Sequence, residues 1–215
     1  MLISGQVRFL AVAILAVMLV TAGSVARAND RAGATEVVEH FQNGLLYTLL
    51  HQREMDYDTR IQALEALIAE TFDVERVARK VIGGERFHEL SVSEQRRYQT
   101  LFTRYVVATQ SRRLGSLEGK DFVPLGRRYG PNGTVVVDVS FREQGREITT
   151  VAYILLPTGK GWRIVDVIID GGVSELTLRR SEFSSVVRAK GVDGLMAALD
   201  EKIGELARAG GRRTY

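Results

Sequence analysis

The stretch from Gly161 to Ile203 reads GWRIVDVIIDGGVSELTLRRSEFSSVVRAKGVDGLMAALDEKI, and its reading decides the fold class. It opens as a strand. Trp162, Ile164 and Ile168 fall on one pleat face, interrupted by Asp166, while Val165, Val167 and Ile169 fall on the other. Both faces are apolar. An antiparallel sheet ordinarily leaves one face to water, so this strand requires a helical layer on one side and something apolar on the other. After Asp170 the Gly171-Gly172 pair stops the strand. Ser181 then predicts the cap of a helix over Glu182 to Ala189, and Gly191 divides it from a last helix with Leu195, Leu199, Ile203 and Leu206 on one stripe.

Working back from there, the period is that of strands as far as Asp121. Val135, Val137, Val139 and Phe141 alternate with Thr134, Val136, Asp138 and Ser140, and Glu143-Gln144-Gly145-Arg146 turns the chain. Ile148 to Leu156 returns, and Pro157-Thr158-Gly159-Lys160-Gly161 turns it again. A further strand over Phe122 to Arg128 opens this antiparallel meander. Upstream the period is helical. Val37, Phe41, Leu45 and Leu49 mark a long helix over Ala34 to Gln52. A second helix follows Asp58, and a short third follows Asp73 and stops at Gly83-Gly84, so residues 56–90 read as a small helical subdomain. Ser91 with Glu94 has the spacing of a capping box and opens a helix with Tyr98, Leu101, Phe102, Tyr105, Val106 and Thr109 on one side, ending near Gly115. Helices, then strands, then helices define an α+β fold, an antiparallel sheet covered by helices.

The first 28 residues have a basic start at Arg8, an apolar run from Phe9 to Ala22 and Ala26-Arg27-Ala28, the pattern of an export signal cleaved after Ala28. The run is about 14 residues, short of the roughly 20 that span hydrocarbon. Cleavage would remove Arg8 and Arg27, taking Lys plus Arg from 29 to 27 against 26 acids. With charge so balanced and basic residues scattered, the footprint of a nucleic-acid binder is missing. Cysteine is absent, which removes thiol catalysis, disulfides and Cys-type metal sites together. Residues 29–210 read as one domain, and 211–215 as a disordered tail.

Few residues are spaced for chemistry. Asp166 and Asp170 share a strand face about 13 Å apart, beyond the spacing of glycosidase carboxylates, and read as turn and edge residues. His40 and His51 lie about 16 Å apart on one helix, too far to share a metal, and His88 has no ligand-spaced neighbour. No G-x-S-x-G elbow, S-x-x-K or phosphate-cradling glycine loop occurs. The sequence therefore implies no enzyme, no metal and no cofactor. Arginine doublets occur at Arg112-Arg113, Arg127-Arg128, Arg179-Arg180 and Arg212-Arg213. Arg179 and Arg180, after the strand-like Ser-Glu-Leu-Thr-Leu and before Ser181, are candidates to meet an anionic headgroup, since a guanidinium fork suits phosphate.

Three segments carry a family resemblance: Trp162 to Gly171 with Val173-Ser174, Ser181 to Val187 and Lys190 to Leu195; Thr71 to Gly83; and Leu90 to Phe102. Together they resemble the MlaC and toluene-tolerance family of periplasmic lipid-binding proteins, soluble auxiliaries of ABC-type lipid transport systems. The doubled glycine at Gly171-Gly172 resembles its hopanoid-associated branch. The resemblance implies a cystatin-like sheet, phospholipid or hopanoid as cargo, an inner-membrane transport complex or permease, and a lipid donor or acceptor at the outer membrane. On this basis the sheet and helices are expected to enclose a lipid cavity. Phe102, Tyr105 and Val106 would line it from the helix, and Val137, Val139, Val151, Tyr153, Trp162, Ile164 and Ile168 from the sheet. The sequence leaves open which sheet face meets it. It also leaves open a fully packed adaptor or structural protein of the cell envelope that carries no lipid.

Overall fold

The computed structural model of the chain describes residues 33–211. The expected leader, and all of the expected tail except Gly211, lie outside the described residues. Helix α1 covers residues 33–51. It is followed by α2 (Tyr57–Thr71), α3 (Val74–Ile82), the short α4 (Gly84–Glu89) and α5 (Val92–Arg113). Four strands come next: β1 (Lys120–Tyr129), β2 (Val135–Glu143), β3 (Arg146–Thr158) and β4 (Gly161–Ile169). The chain closes in α6 (Glu175–Gly211). The sheet is an antiparallel meander in the order β1-β2-β3-β4, as the alternation predicts.

Local chemistry explains most helix starts. The capping box at α5 is complete: Glu94 N–H donates to Ser91 Oγ, and Ser91 N–H donates to Glu94 Oε2 at 2.7 Å. Helix α2 starts earlier than Asp58 because the Asp56 carboxylate accepts from Thr59 N–H at 2.7 Å. Asp73 caps α3 in the same way through Arg76 N–H. The larger departure lies at α6. It begins at Glu175, so Glu175 to Leu178 is helical rather than strand-like, and Ser181 is an exposed residue inside the helix rather than its cap. Ser174 Oγ accepts from Thr177 N–H at 2.9 Å, and Asp166 Oδ1 accepts from Leu176 N–H at 3.1 Å. Asp166 is thus a joint between β4 and α6. The cap is Ser174, a local one that the strand-like reading of the segment passed over, and Asp166 adds a second contact from ten residues away.

The register of β4 also departs from simple alternation. Ile154 pairs with Asp166 but Leu155 pairs with Ile164, which leaves Val165 as an extra, bulged residue. Beyond the bulge the faces exchange. Trp162 and Ile164 share a face with Val167 and Ile169, because these four pair with Pro157, Leu155, Tyr153 and Val151; Ile168 pairs with Ala152 on the opposite face. The expected grouping of Ile168 with Trp162 and Ile164 is therefore corrected. The Phe72–Asp73 junction docks on β4, where Asp73 N–H donates to Ile164 O at 3.0 Å, and Ser174 bridges Ile168. These links pair exposed backbone on a strand with no further strand beside it.

The buried side chains form two cores. The first packs Val38, Phe41 and Leu45 of α1 and Leu64 and Ile68 of α2 onto the sheet face of Val137, Val139, Tyr153, Leu155 and Ile164. The second gathers Ala78, Val81 and Ile82 of α3, Phe87 of α4, Tyr98 and Phe102 of α5, and Phe183, Leu195, Met196 and Leu199 of α6. Tyr98 is fully buried and its hydroxyl donates to Ala78 O at 3.0 Å, tying α5 to α3. Residues of the 56–90 stretch divide between these cores: α2 joins the first, α3 and α4 the second.

Helix α6 serves the second core on both sides of a break at Gly191, whose φ of 71° and ψ of −177° suit glycine alone. A Cβ at Gly191 would meet nothing within 4 Å, so strain is its only penalty. Gly191→Ala is expected to lower unfolding stability by about 1–3 kcal/mol. Gly159→Ala, also free of steric conflict and at an ordinary φ, should change it little. Denaturant melts of the two variants check this.

Candidate functional site

Between the two cores lies a cavity of about 340 Å³. Its walls come from five layers of the fold. Phe41 and Leu45 of α1 and Phe72 after α2 close one end, and Val74, Val77 and Val81 of α3 line it beside them. The sheet supplies Val151 and Tyr153 from β3 and Val165 and Val167 from β4. From α5 a single stripe faces inward: Phe102, Tyr105, Val106, Thr109, Gln110 and Arg113. The 3-1-3-1-3 spacing is that of one helix face, and it runs about 16 Å along the axis from an apolar end to a charged one.

The charged end is the mouth. Ile148 and Ile169 line the cavity there and are 44% and 40% exposed. Thr149, Ser116, Lys120, Glu175 and Arg179 surround them. Asp170, just past β4 at a φ of 51°, accepts from the Thr149 hydroxyl at 2.6 Å and from Thr150 N–H at 2.8 Å. The Thr149 hydroxyl bond, with the Thr150 amide second, holds the Asp170 carboxyl below its usual range.

Deep in the cavity the chemistry is apolar with one polar exception. Burial pushes the Tyr153 phenol up to about 12, opposed by its neighbour Gln42. Gln42 is itself 4% exposed, and its Nε2 has no hydrogen-bond partner. Edge-to-face contacts brace the walls, Phe41 on Phe72 at 5.0 Å and Phe102 on Phe183 at 6.1 Å.

Of the sequence-predicted lining residues, Phe102, Tyr105, Val106, Val151 and Tyr153 lie on the cavity wall. Val137 and Val139 occupy the same sheet face but are buried in the first core, as are Trp162 and Ile164. Ile168 sits on the other face, half-buried. Of the headgroup candidates, Arg179 lines the mouth, while Arg180, about 100° further round the helix, is exposed and outside the lining. The contributions of α1 and α3, Phe41, Leu45, Val77 and Val81, carried no sequence signal beyond helical periodicity. Arg113 and Glu175 were hidden in an arginine doublet and in the misread start of α6. His40 pairs with Glu70 at 2.9 Å and the His51 ring is 2.8 Å from Tyr47 O; among the described residues no three His, Asp or Glu side chains are placed to hold a metal.

Residues 40–201 match the profile of the family described as MlaC protein. The chain belongs to the MlaC family. No curated protein matches it by sequence. Six chains of solved structures resemble it. One is the phospholipid-binding protein from Ralstonia solanacearum in complex with a phospholipid, at 21% identity and a TM-score of 0.70, over 81% of this chain and 98% of that one. At this identity the likeness speaks to the fold, and it places the MlaC chain in the same α+β architecture.

Val151 and its cross-strand partner Val139 both belong to the first core, but Val151, 6% exposed, also lines the cavity and Val139 does not. Val151→Trp should therefore fill cavity space and leave the melting temperature of delipidated protein close to that of the parent. Val139→Trp should overpack the core and cost about 1–3 kcal/mol or more. Thermal melts of the two delipidated variants make the comparison.

Proposed function

We propose that the protein is an exported lipid carrier of the periplasm, not an enzyme, that holds the hydrocarbon of a lipid in the cavity between its two cores and leaves the headgroup at the charged mouth. The observation that carries this reading is the apolar cavity itself. Most of its wall is apolar side chain, so water inside it gives up hydrogen bonds, and each methylene of a lipid chain that displaces this water contributes about 0.8 kcal/mol. Membership of the MlaC family and the phospholipid named for the R. solanacearum protein support lipid as the occupant.

In this reading the cargo is phospholipid or hopanoid. The protein moves it through water between an inner-membrane transport complex or permease and an outer-membrane donor or acceptor. Among the described residues no helix is long and apolar enough to cross a membrane. The lining from Phe102, Tyr105, Val106, Val151 and Tyr153 would meet acyl chains, with Phe41, Phe72 and Val77 beyond them.

Organic extraction of purified protein followed by mass spectrometry should return close to one lipid per chain. Val151→Trp should lower that yield without lowering the yield of folded protein. Lipid-free extracts from several expression hosts, a hopanoid producer among them, would favour an adaptor that carries nothing.

A further inference from the structure

We propose that the Gln42 amide and the Tyr153 phenol form a polar subsite inside the cavity, one that selects lipids whose buried hydrocarbon carries a hydroxyl group. The proposal rests on the lipid-carrier reading and names the class of cargo that the same cavity prefers.

Gln42 stands where its helix otherwise supplies hydrocarbon. Val38, Phe41 and Leu45 of α1 are buried against the sheet, and Gln42 shares their stripe at 4% exposure. Among the described residues its Nε2 is the one buried side-chain nitrogen or oxygen with no hydrogen-bond partner. The other buried polar side chains are engaged. Thr48 and Thr71 donate to the carbonyls of Gly44 and Leu67 one turn back, Arg60 donates to Ser111 Oγ and Gly210 O, and Ser140 donates to Glu147. Buried polar groups are ordinarily paired and an unmade bond costs stability, so the amide marks a place where a partner belongs.

The cavity is beside it. Phe41 and Leu45, which flank Gln42 on the stripe, are on the wall, and so is Tyr153. Gln42 opposes the effect of burial on the Tyr153 phenol, as an N–H facing the phenol oxygen does, yet no hydrogen bond is completed from Nε2. Tyr153 stands four residues along β3 from Thr149 at the mouth, about 13 Å into the fold. The Phe41 ring meets the Tyr153 ring edge-on at 6.1 Å and the Phe72 ring at 5.0 Å, so the polar pair is framed by aromatic carbon. A hydroxyl fits this pair because it accepts from the amide N–H and donates to the phenol oxygen at the same time. A plain methylene leaves the amide unpaired. A few polar groups placed in an otherwise apolar pocket fix which ligand it takes and in which orientation. Here the discrimination falls on the middle of the lipid chain, away from the charged mouth and independent of the headgroup.

The test mixes delipidated protein with vesicles of equal parts dioleoyl- and diricinoleoyl-phosphatidylcholine, whose chains differ by a mid-chain hydroxyl, and weighs the bound lipid by mass spectrometry. The ratio of ricinoleoyl to oleoyl lipid bound by the wild type should exceed that bound by Gln42→Leu by about five- to a hundredfold, the worth of a buried donor satisfied rather than orphaned. Tyr153→Phe should move the ratio the same way, and it carries the test if Gln42→Leu does not fold. A lipid with its hydroxyl beside the ester carbonyl, held near the rim, should show no such preference. Equal ratios in the wild type and both variants, with both lipids loading, overturn the subsite, assign the amide to internal water and leave the carrier intact. A rim hydroxyl preferred as strongly as the mid-chain one also overturns it, because the mouth would then be reading the oxygen. Failure of the wild type to load either lipid overturns the carrier reading instead.

Discussion

The apolar face of the meander must be kept from water, and the protein covers it with two cores that do not close on each other. The burial of Val137, Val139, Tyr153, Leu155 and Ile164 beneath α1 and α2 fixes the sheet. The packing of α3, α5 and α6 around Tyr98, Phe102 and Met196 fixes the other half. Helix α5 belongs to both, with Val107 in the first and Leu101 and Phe102 in the second. Its inward stripe is therefore anchored on each side of the seam and cannot collapse into it. Aromatic contacts at Phe41, Phe72, Phe102 and Phe183 stiffen the walls. Each such pair contributes about 0.5–1.5 kcal/mol beyond burial. The cavity is the space those two packings leave.

The joint at Asp166 sets where the mouth falls. By bulging β4 at Val165, the chain turns Val167 and Ile169 to the cavity face. By accepting from Leu176 N–H, Asp166 ties the first turn of α6, capped by Ser174, over that face, where Glu175 and Arg179 reach the rim. A carboxylate in the middle of an otherwise apolar strand thus links sheet register, helix start and mouth chemistry.

Much of the architecture was legible in the sequence because it follows from local patterns. Alternation in Val135 to Phe141 and Ile148 to Leu156 gave the meander, and Ser91 with Glu94 gave the start of α5. What the sequence concealed is non-local. A bulge costs no change in composition, so the exchange of faces after Val165, and with it the place of Ile168, could not be seen. Ser181 looked like a cap because Ser174, the residue that caps α6 through Thr177 N–H, had been read as part of a strand. Tyr105 and Arg179 were legible as aromatic stripe and arginine doublet, but the contact of the Arg179 guanidinium with the Tyr105 ring, and the place of Arg113 at the mouth, needed α5 and α6 to be brought together. The α3 wall was invisible for the same reason: Val77 and Val81 read as the buried side of any short helix.

A lipid with a photoactivatable diazirine at the end of one acyl chain measures the depth and direction of binding at once. After loading, irradiation and peptide mapping, cross-links should concentrate on Phe72, Val77, Val81 and Phe41, the end of the cavity away from Arg113. Cross-links confined to the exposed rim at Ile148 and Ile169, or spread over the outer surface, would contradict a carrier that holds its cargo between the two cores.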